Sequence, residues 1–277
     1  MAFLRAFGSW LPSRRVTNEE LAPLVDATPE WILQVSGIEE RRYAAADETV
    51  ASVGLKAAQG CLEKAGAAAA DLGLILVASA GSLIGLAFAA QLAPAAKQVL
   101  VVGAEIMSRR VTRSPEGKNT AILFGDGAGA CLVDAEAGFA RIADSCLYTD
   151  GASSEILFVR DDRLHMDGQA VILQAARKIP RAINELLARN QLAAANVEAF
   201  LLHQANLNLI TRVAGALKAP PSRFFTNIAR YGNTSSASML IAADDWWSGR
   251  YGLLSGPLVF SAFGAGLNWG ALLALPR

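Results

Sequence analysis

The sequence predicts an α/β fold in which two similar halves each contribute a partly parallel sheet. Three observations carry this. An apolar run over 72–77, a helical stretch over 82–92 and a second apolar run over 99–102 make a strand–helix–strand unit, and such a crossover joins parallel strands. The second part of the chain repeats the theme, with a helix over 169–188, a strand at 199–202, a helix over 207–217, another over 233–247 and a strand at 258–261. Finally, Leu123-Phe-Gly-Asp-Gly-Ala-Gly-Ala-Cys-Leu-Val133 is echoed by Ala262-Phe-Gly-Ala-Gly-Leu-Asn-Trp-Gly-Ala-Leu272. Each copy reads as a Phe-Gly-x-Gly turn joining two apolar strands, and one copy per half suggests an internal duplication. The 277 residues suffice for one large domain or two half-domains with a real core. The halves are expected at residues 1–145 and 146–277.

The elements justify themselves in order. Thr17 to Glu20 has the form of a capping box opening a short helix. Thr28-Pro29-Glu30 opens another, with proline in the first turn. Residues 47–65 are helical, with Val50, Val53, Ala57, Cys61 and Leu62 on one face and Gly66 as the stop. The run over 72–77 is uninterrupted, as expected of a strand buried on both faces. Gly125-Asp-Gly-Ala-Gly129 lacks the G-x-G-x-x-G spacing and is followed by strand-like residues, so it is not a dinucleotide fingerprint. A tight hairpin, with glycine supplying unusual backbone angles, is the better reading.

Composition excludes several classes. Basic and acidic residues balance at 25 each, which argues against nucleic acid or an anionic membrane as partner. The longest apolar stretch, over 83–96, is broken by Gln91 and Pro94 and is too short to span a bilayer. No signal peptide is read at the N-terminus, where Pro12 and Arg14-Arg15 follow too short an apolar stretch. Cys61, Cys131 and Cys146 are odd in number and show no metal spacing. They fit a reducing cytosol, hence a cytoplasmic protein, and each reads as a small packing residue.

Chemistry concentrates at two places. Leu202-His203-Gln204-Ala205-Asn206 puts a histidine at the end of an apolar strand, and Tyr231-Gly232-Asn233-Thr234-Ser235 puts an asparagine at the mouth of a helix. Strand ends and loops are where α/β folds build sites. A neutral imidazole and an amide aimed at one point can donate two hydrogen bonds to a developing oxyanion, often the largest catalytic term. Taken as an isolated pair, His203 would be a satisfied core histidine and Asn233 a helix cap.

The motifs together resemble the β-ketoacyl-acyl-carrier-protein synthase III family of thiolase-fold condensing enzymes, nearly end to end. They are Gly8-Ser-Trp-Leu-Pro12, Trp31-Ile32, Ser36-Gly37-Ile38-Glu-Glu-Arg41-Arg42, Val101-Val-Gly-Ala-Glu105, Leu123-Phe-Gly-Asp-Gly-Ala-Gly129, Met166-Asp-Gly168, His203-Gln-Ala-Asn206, Gly232-Asn-Thr-Ser235 and Phe263-Gly-Ala-Gly266. The resemblance implies a duplicated thiolase-like fold layered α-β-α-β-α, a homodimer and a decarboxylative Claisen condensation. In that reaction a cysteine at a buried helix N-terminus takes an acyl group from coenzyme A, its thiolate stabilised by the helix dipole. A histidine and an asparagine then hold the thioester oxygen of malonyl-acyl carrier protein as CO₂ leaves. By motif these are His203 and Asn233. The resemblance also assigns the acyl oxyanion to the backbone N–H of Ala265, an apolar wall beside the departing carboxylate to Phe263, and orientation of the histidine loop to Asn206. Trp31 would stack on the adenine of coenzyme A, with Lys118 as the basic residue opposite it. No cofactor or metal is implied.

The departures are as informative. In the family a loop, a helix, a strand and the nucleophilic cysteine separate the strand ending near Ser79 from the helix beginning at Gly81, whereas here Val77-Ala-Ser-Ala80 runs straight into Gly81-Ser-Leu-Ile. If the join lies before Ser79, that serine takes the place of the cysteine, but a serine without a base is a poor nucleophile. Two readings of the gap compete. In the favoured one the 277 residues omit a segment that the full chain has; in the other the chain itself lacks it, losing a central strand and its nucleophile. Val35 stands where the family has arginine, and Asn208 where it often carries an arginine for phosphopantetheine or the carrier protein, although Arg212 and Lys218 lie on the same helix. Rival functions on the same frame are a thioesterase, an ester-forming acyltransferase, a malonyl-thioester decarboxylase, or a non-catalytic subunit that pairs with an active partner.

Overall fold

The structure is a computed structural model that describes residues 1–78, 81–250 and 253–277. Its elements in chain order are β1 (Phe3–Trp10), β2 (Arg14–Thr17), α1 (Asn18–Leu21), α2 (Pro29–Ser36), β3 (Glu40–Tyr43), α3 (Val50–Ala65), β4 (Leu74–Ala78), α4 (Ser82–Ala96), β5 (Gln98–Ile106), α5 (Lys118–Ala121) and β6 (Asp126–Asp134). There follow β7 (Ala140–Thr149), β8 (Leu157–Arg160), β9 (Arg163–Met166), α6 (Gly168–Arg189), β10 (Ala199–Leu202), α7 (Leu207–Leu217), α8 (Ile228–Tyr231), α9 (Ser238–Ser248), β11 (Leu258–Gly264) and β12 (Asn268–Pro276). Among the described residues no helix is long and apolar enough to cross a membrane.

The caps explain most boundaries. Thr17 and Thr28 accept backbone N–H bonds at the starts of α1 and α2, and Gly37 ends α2 in the left-handed region. Helix α3 starts at Val50 rather than at 47, because Thr49 and Ser52 form a reciprocal capping box there, and Gly66 stops it. Helix α4 runs on to Ala96 and absorbs Pro94 in its last turn. The helix expected from 233 begins only at Ser238, after a 3₁₀ turn over Ser235–Ala237.

The sheet order is β10-β11-β12-β7-β1-β6-β5-β4, which reads the same from either end once the halves are matched. Strands β4 and β5 pair in parallel, as do β10 and β11; β5–β6, β6–β1, β11–β12 and β12–β7 are antiparallel. The halves meet through two residue pairs of β1 and β7, Phe3 with Arg141 and Leu4 with Ala140. The boundary expected after residue 145 falls within β7. We propose that the second half opens with that strand.

Side-chain clusters give the layers. Leu4, Val99, Val101 and Val133 from one half and Leu201, Phe260 and Leu272 from the other share a single core with Leu83 and Leu86 of α4 and Met239 and Leu240 of α9. Helices α4 and α9 therefore form a middle layer between the two halves. On the far side of the first half, Val53, Ala57 and Cys61 of α3 cover Leu100, Val102 and Leu132. On the far side of the second, α6 and α7 cover Phe200, Leu202, Val259 and Leu273. This is the α-β-α-β-α layering of a thiolase-like fold.

Two sequence expectations are corrected. Strand β4 is not buried on both faces: Ile75 is 54% and Val77 73% exposed, because β4 is an edge strand with one face uncovered. The Phe-Gly-x-Gly repeat is a hairpin only in its second copy, between β11 and β12. In the first copy Asp126, Gly127 and Gly129 already belong to β6, and residues 107–125 separate β5 from β6. The glycines there serve contact with α9 instead. A Cβ on Gly129 would lie 2.6 Å from that of Leu240.

Internal symmetry also locates the gap. Between β10 and α9 the second half holds α7, a bridge from Phe224 to Phe200, and α8. Between the matching β4 and α4 the first half has only residues 79–81. In the 277-residue sequence Ala78 and Gly81 are separated by Ser79 and Ala80 alone.

Candidate active site

His203 follows β10, and its N–H bonds Ser261 O at 2.9 Å, continuing the ladder one residue past the strand. The next residue, Gln204, is fully buried and anchors the loop. Its Nε2 donates to Leu202 O at 2.9 Å and Phe225 O at 3.3 Å, its Oε1 accepts from Asn227 N at 3.1 Å, and its N–H donates to Ser238 Oγ at 3.1 Å. Ser238 Oγ also lies 2.5 Å from His203 Nδ1. Burial pushes the His203 imidazole down to a pKa of about 4, so it is neutral near pH 7.

Asn233 is held by a two-way backbone pairing, its N–H to Leu123 O at 2.8 Å and Gly125 N–H to its own carbonyl at 3.0 Å. Its side-chain Oδ1 accepts from Ser235 N at 2.9 Å, which leaves the amide Nδ2 for the cavity it lines. Gly232 before it sits at φ +66°, where a Cβ would lie 2.9 Å from Leu123 O.

One cavity of about 730 Å³ is lined by His203, Asn233, Phe263, Ala265, Asn206 and Trp31 together. The first turn of α4, with Ser82 and Leu83, and Leu164 and Met166 of β9 close other sides. Lys118 stands outside that lining but places its Nζ 5.1 Å from the centre of the Trp31 ring, so these two residues meet. Asn206 caps α7 through Asn208 N at 2.8 Å and donates to Val35 O at 2.8 Å, tying the helix that follows the histidine loop to the end of α2. Asn208, at the place where the resemblance sets an arginine in the family, makes the same tie through Gln34 O at 3.0 Å and Val35 O at 3.2 Å. Arg212 and Lys218 are exposed.

None of the three cysteines lines the cavity. Cys61 and Cys131 are fully buried and Cys146 nearly so. Burial pushes the Cys61 thiol up to about 12 and raises the other two, which keeps them protonated and inert. Ser79, weighed as a stand-in for the nucleophile, lies outside the described residues.

Sequence reasoning missed the groups that come from remote elements. Glu105 is buried in the cavity wall and accepts from Ser236 Oγ at 2.7 Å, beside the asparagine loop. Ser238 reaches the histidine from α9, and Arg110 contributes a cation to the lining. The run Ser235-Ser236-Ala237-Ser238 was the one available signal, being unusually polar for a helix start buried between the two halves of the sheet.

Residues 187–275 match the family model for the C-terminal part of 3-oxoacyl-[acyl-carrier-protein] synthase III, and residues 75–151 match its companion model for 3-oxoacyl-[acyl-carrier-protein] synthase III. A β-ketoacyl-[acyl-carrier-protein] synthase III of Oleidesulfovibrio alaskensis is 34% identical over 326 positions, covering 98% of each chain. That alignment is longer than the 277 residues of this chain, so it crosses positions where this chain has no residue. Among solved structures, 3-oxoacyl-[acyl-carrier-protein] synthase III from Aquifex aeolicus VF5 superposes with a TM-score of 0.95 at 29% identity, covering 99% of this chain and all of the other. The priming β-ketosynthase of the R1128 polyketide pathway superposes with a TM-score of 0.91 at 28% identity, covering all of this chain and 97% of the other.

Proposed function

Because the chain belongs to the β-ketoacyl-[acyl-carrier-protein] synthase III family, the condensing enzymes that initiate fatty-acid or polyketide chains, we propose that it condenses an acyl thioester with a malonyl thioester, with His203 and Asn233 as its two oxyanion donors. The supporting observation is that both side chains line one cavity while their inner ends are already engaged, His203 Nδ1 by Ser238 and Asn233 Oδ1 by Ser235. What remains for the substrate is one ring nitrogen and one amide N–H₂. Two donors on the thioester oxygen stabilise the enolate that forms as CO₂ departs. Phe263, 6% exposed, gives the departing carboxylate an apolar neighbour that disfavours its charge. The Ala265 N–H serves the oxyanion of the acyl partner, and Asn206 holds the histidine loop against α2. Trp31 and Lys118 take the nucleotide end of a coenzyme A donor, and a carrier protein and a second copy of the chain complete the working assembly.

A second reading, malonyl-thioester decarboxylation without acyl transfer, is favoured by one observation: all three cysteines are buried away from the cavity. A single reaction separates the readings. The purified chain is incubated with acyl-coenzyme A and malonyl-acyl carrier protein, and β-ketoacyl product, CO₂ and protein mass are followed. Product supports condensation. CO₂ alone, with no acyl adduct on the protein, supports decarboxylation. Absence of both leaves a non-catalytic partner subunit.

A further inference from the structure

The hydroxyl of Ser238 sits at the first position of α9, 2% exposed, between the histidine loop and the middle helical layer. It has two partners of different kinds. Gln204 N is a backbone donor and can only give its proton to Oγ, at 3.1 Å. His203 Nδ1, at 2.5 Å, can accept. With one lone pair of Oγ taken by the amide, the hydroxyl proton goes to Nδ1, its only acceptor among the described residues. A neutral imidazole carries one proton, so that proton then resides on Nε2. The loop that carries the ring is itself held, because the His203 main chain is bonded to Ser261 O at 2.9 Å and Gln204 is fastened on three sides.

We propose that Ser238 is a positioning residue that holds His203 in its Nε2–H form, so that the cavity receives a hydrogen-bond donor rather than a lone pair. This rests on the reading of His203 as an oxyanion donor. In the other tautomer Nδ1–H would face Ser238 Oγ and the Nε2 lone pair would face the developing negative charge, opposing the reaction. The neighbouring serines do not share the role. Ser236 is committed to Glu105 at 2.7 Å, and Ser235 gives its N–H to Asn233.

The chain has only two histidines, His165 and His203, so two-bond proton–nitrogen correlation of the ring nitrogens resolves both, and His203→Gln assigns them. At pH 7 the wild-type protein should show His203 with a pyrrole-type Nε2 and a pyridine-type Nδ1. Ser238→Ala should shift the ring toward the Nδ1–H form or an exchanging mixture, and lower kcat for malonyl-thioester decarboxylation by about tenfold with KM little changed. Ser238→Thr, which keeps the hydroxyl, should restore both readings. A pyrrole-type Nδ1 in the wild type, or an unchanged ring spectrum in Ser238→Ala, overturns the proposal. The wild-type spectrum decides even if Ser238→Ala fails to fold. A wild-type ring in the expected form with no decarboxylation would overturn the functional reading and leave the assignment of Ser238 standing.

Discussion

Phe200 of β10 stacks on Phe224 with ring centroids 4.3 Å apart and planes 5° apart, and the same two residues form a parallel β-bridge. The outer edge of the second half is thereby covered. Its counterpart in the first half, β4, has no such neighbour among the described residues, and Ile75 and Val77 point into solvent. The two edges should respond differently to mutation. Phe224→Ala, at 7% exposure, should cost about 3–5 kcal/mol. Val77→Lys should change stability by no more than about 0.5 kcal/mol. Urea unfolding of both variants checks this, and a large loss for Val77→Lys would mean that something covers β4 in solution.

Gly103 belongs to β5, yet its substitution should be felt at the site. A Cβ there would lie 2.7 Å from Ser236 O, in the 3₁₀ turn between Asn233 and α9. Gly103→Ala must push that turn outward, costing about 1–3 kcal/mol by overpacking. Because Ser235 N holds the Asn233 amide, decarboxylation should fall more than the stability loss explains at a temperature where the variant remains folded. Activity in proportion to the folded fraction would separate Gly103 from the site.

How much of this was legible depended on sequence distance. The Asn206 cap and the position of His203 at a strand end are local facts, readable from residues within a turn of one another. The partners that set their chemistry are not. Ser238 lies 35 residues from His203, and Glu105 lies 131 from Ser236. Only the packing of α9 and β5 joins them. The buried Arg41 is similar: the motif containing it is visible in the sequence, but its bonds to Asn18 Oδ1 at 2.8 Å and Ile122 O at 2.8 Å give it a structural task, fastening β3 to the start of α1 and the end of α5. Strand β4 failed for a different reason. An apolar run does not reveal whether its neighbours are present, and among the described residues nothing beside β4 corresponds to the Phe224 bridge on β10.

Trp31 and Lys118 should act together on nucleotide-bearing substrates. The ammonium 5.1 Å from the indole centre favours the ring face and brings a positive charge beside the cavity. Trp31→Ala should weaken acyl-coenzyme A binding by ~1–3 kcal/mol, the scale of base–aromatic stacking. Lys118→Ala should weaken it less, and increasingly little as salt is raised. Val35→Arg should tighten binding if the phosphates pass nearby. Calorimetric titration with coenzyme A thioesters tests all three, and an unchanged dissociation constant for Trp31→Ala would reduce that residue to packing.

Acid should affect the site later than an ordinary histidine would suggest. The folded-state pKa of His203 is depressed to about 4, below the usual ~6.5 of an unfolded chain. Between these values the unfolded state binds the extra proton, so the stabilising contribution of neutral His203 is complete above about pH 6.5 and is lost as pH falls toward 4. The decarboxylation rate should hold to about pH 5 and then fall. A buried imidazolium beside the substrate carboxylate would stabilise the charge that has to leave. A rate that halves near pH 6.5 in the wild type but not in His203→Gln would contradict the buried neutral assignment.

The strongest test of the site treats His203 and Asn233 as a unit. If both donors hold the enolate oxygen, His203→Ala and Asn233→Ala should each slow malonyl-thioester decarboxylation by ~10²–10³, the range for loss of one oxyanion donor. The double variant should lose less than the product of the two factors, because the second donor does little once the first has gone. Neither change reaches the Ala265 N–H in the turn between β11 and β12, so a step that relies on that backbone group should survive both better. The changes should also differ in their structural cost. Asn233→Ala removes the acceptor for Ser235 N, whereas His203→Ala leaves Ser238 still bonded to Gln204. Unfolding curves measured beside the rates separate that cost from the chemistry. If either single variant decarboxylates at the wild-type rate while fully folded, the residue it replaces has only its structural bonds, and the oxyanion must be held from another wall of the cavity.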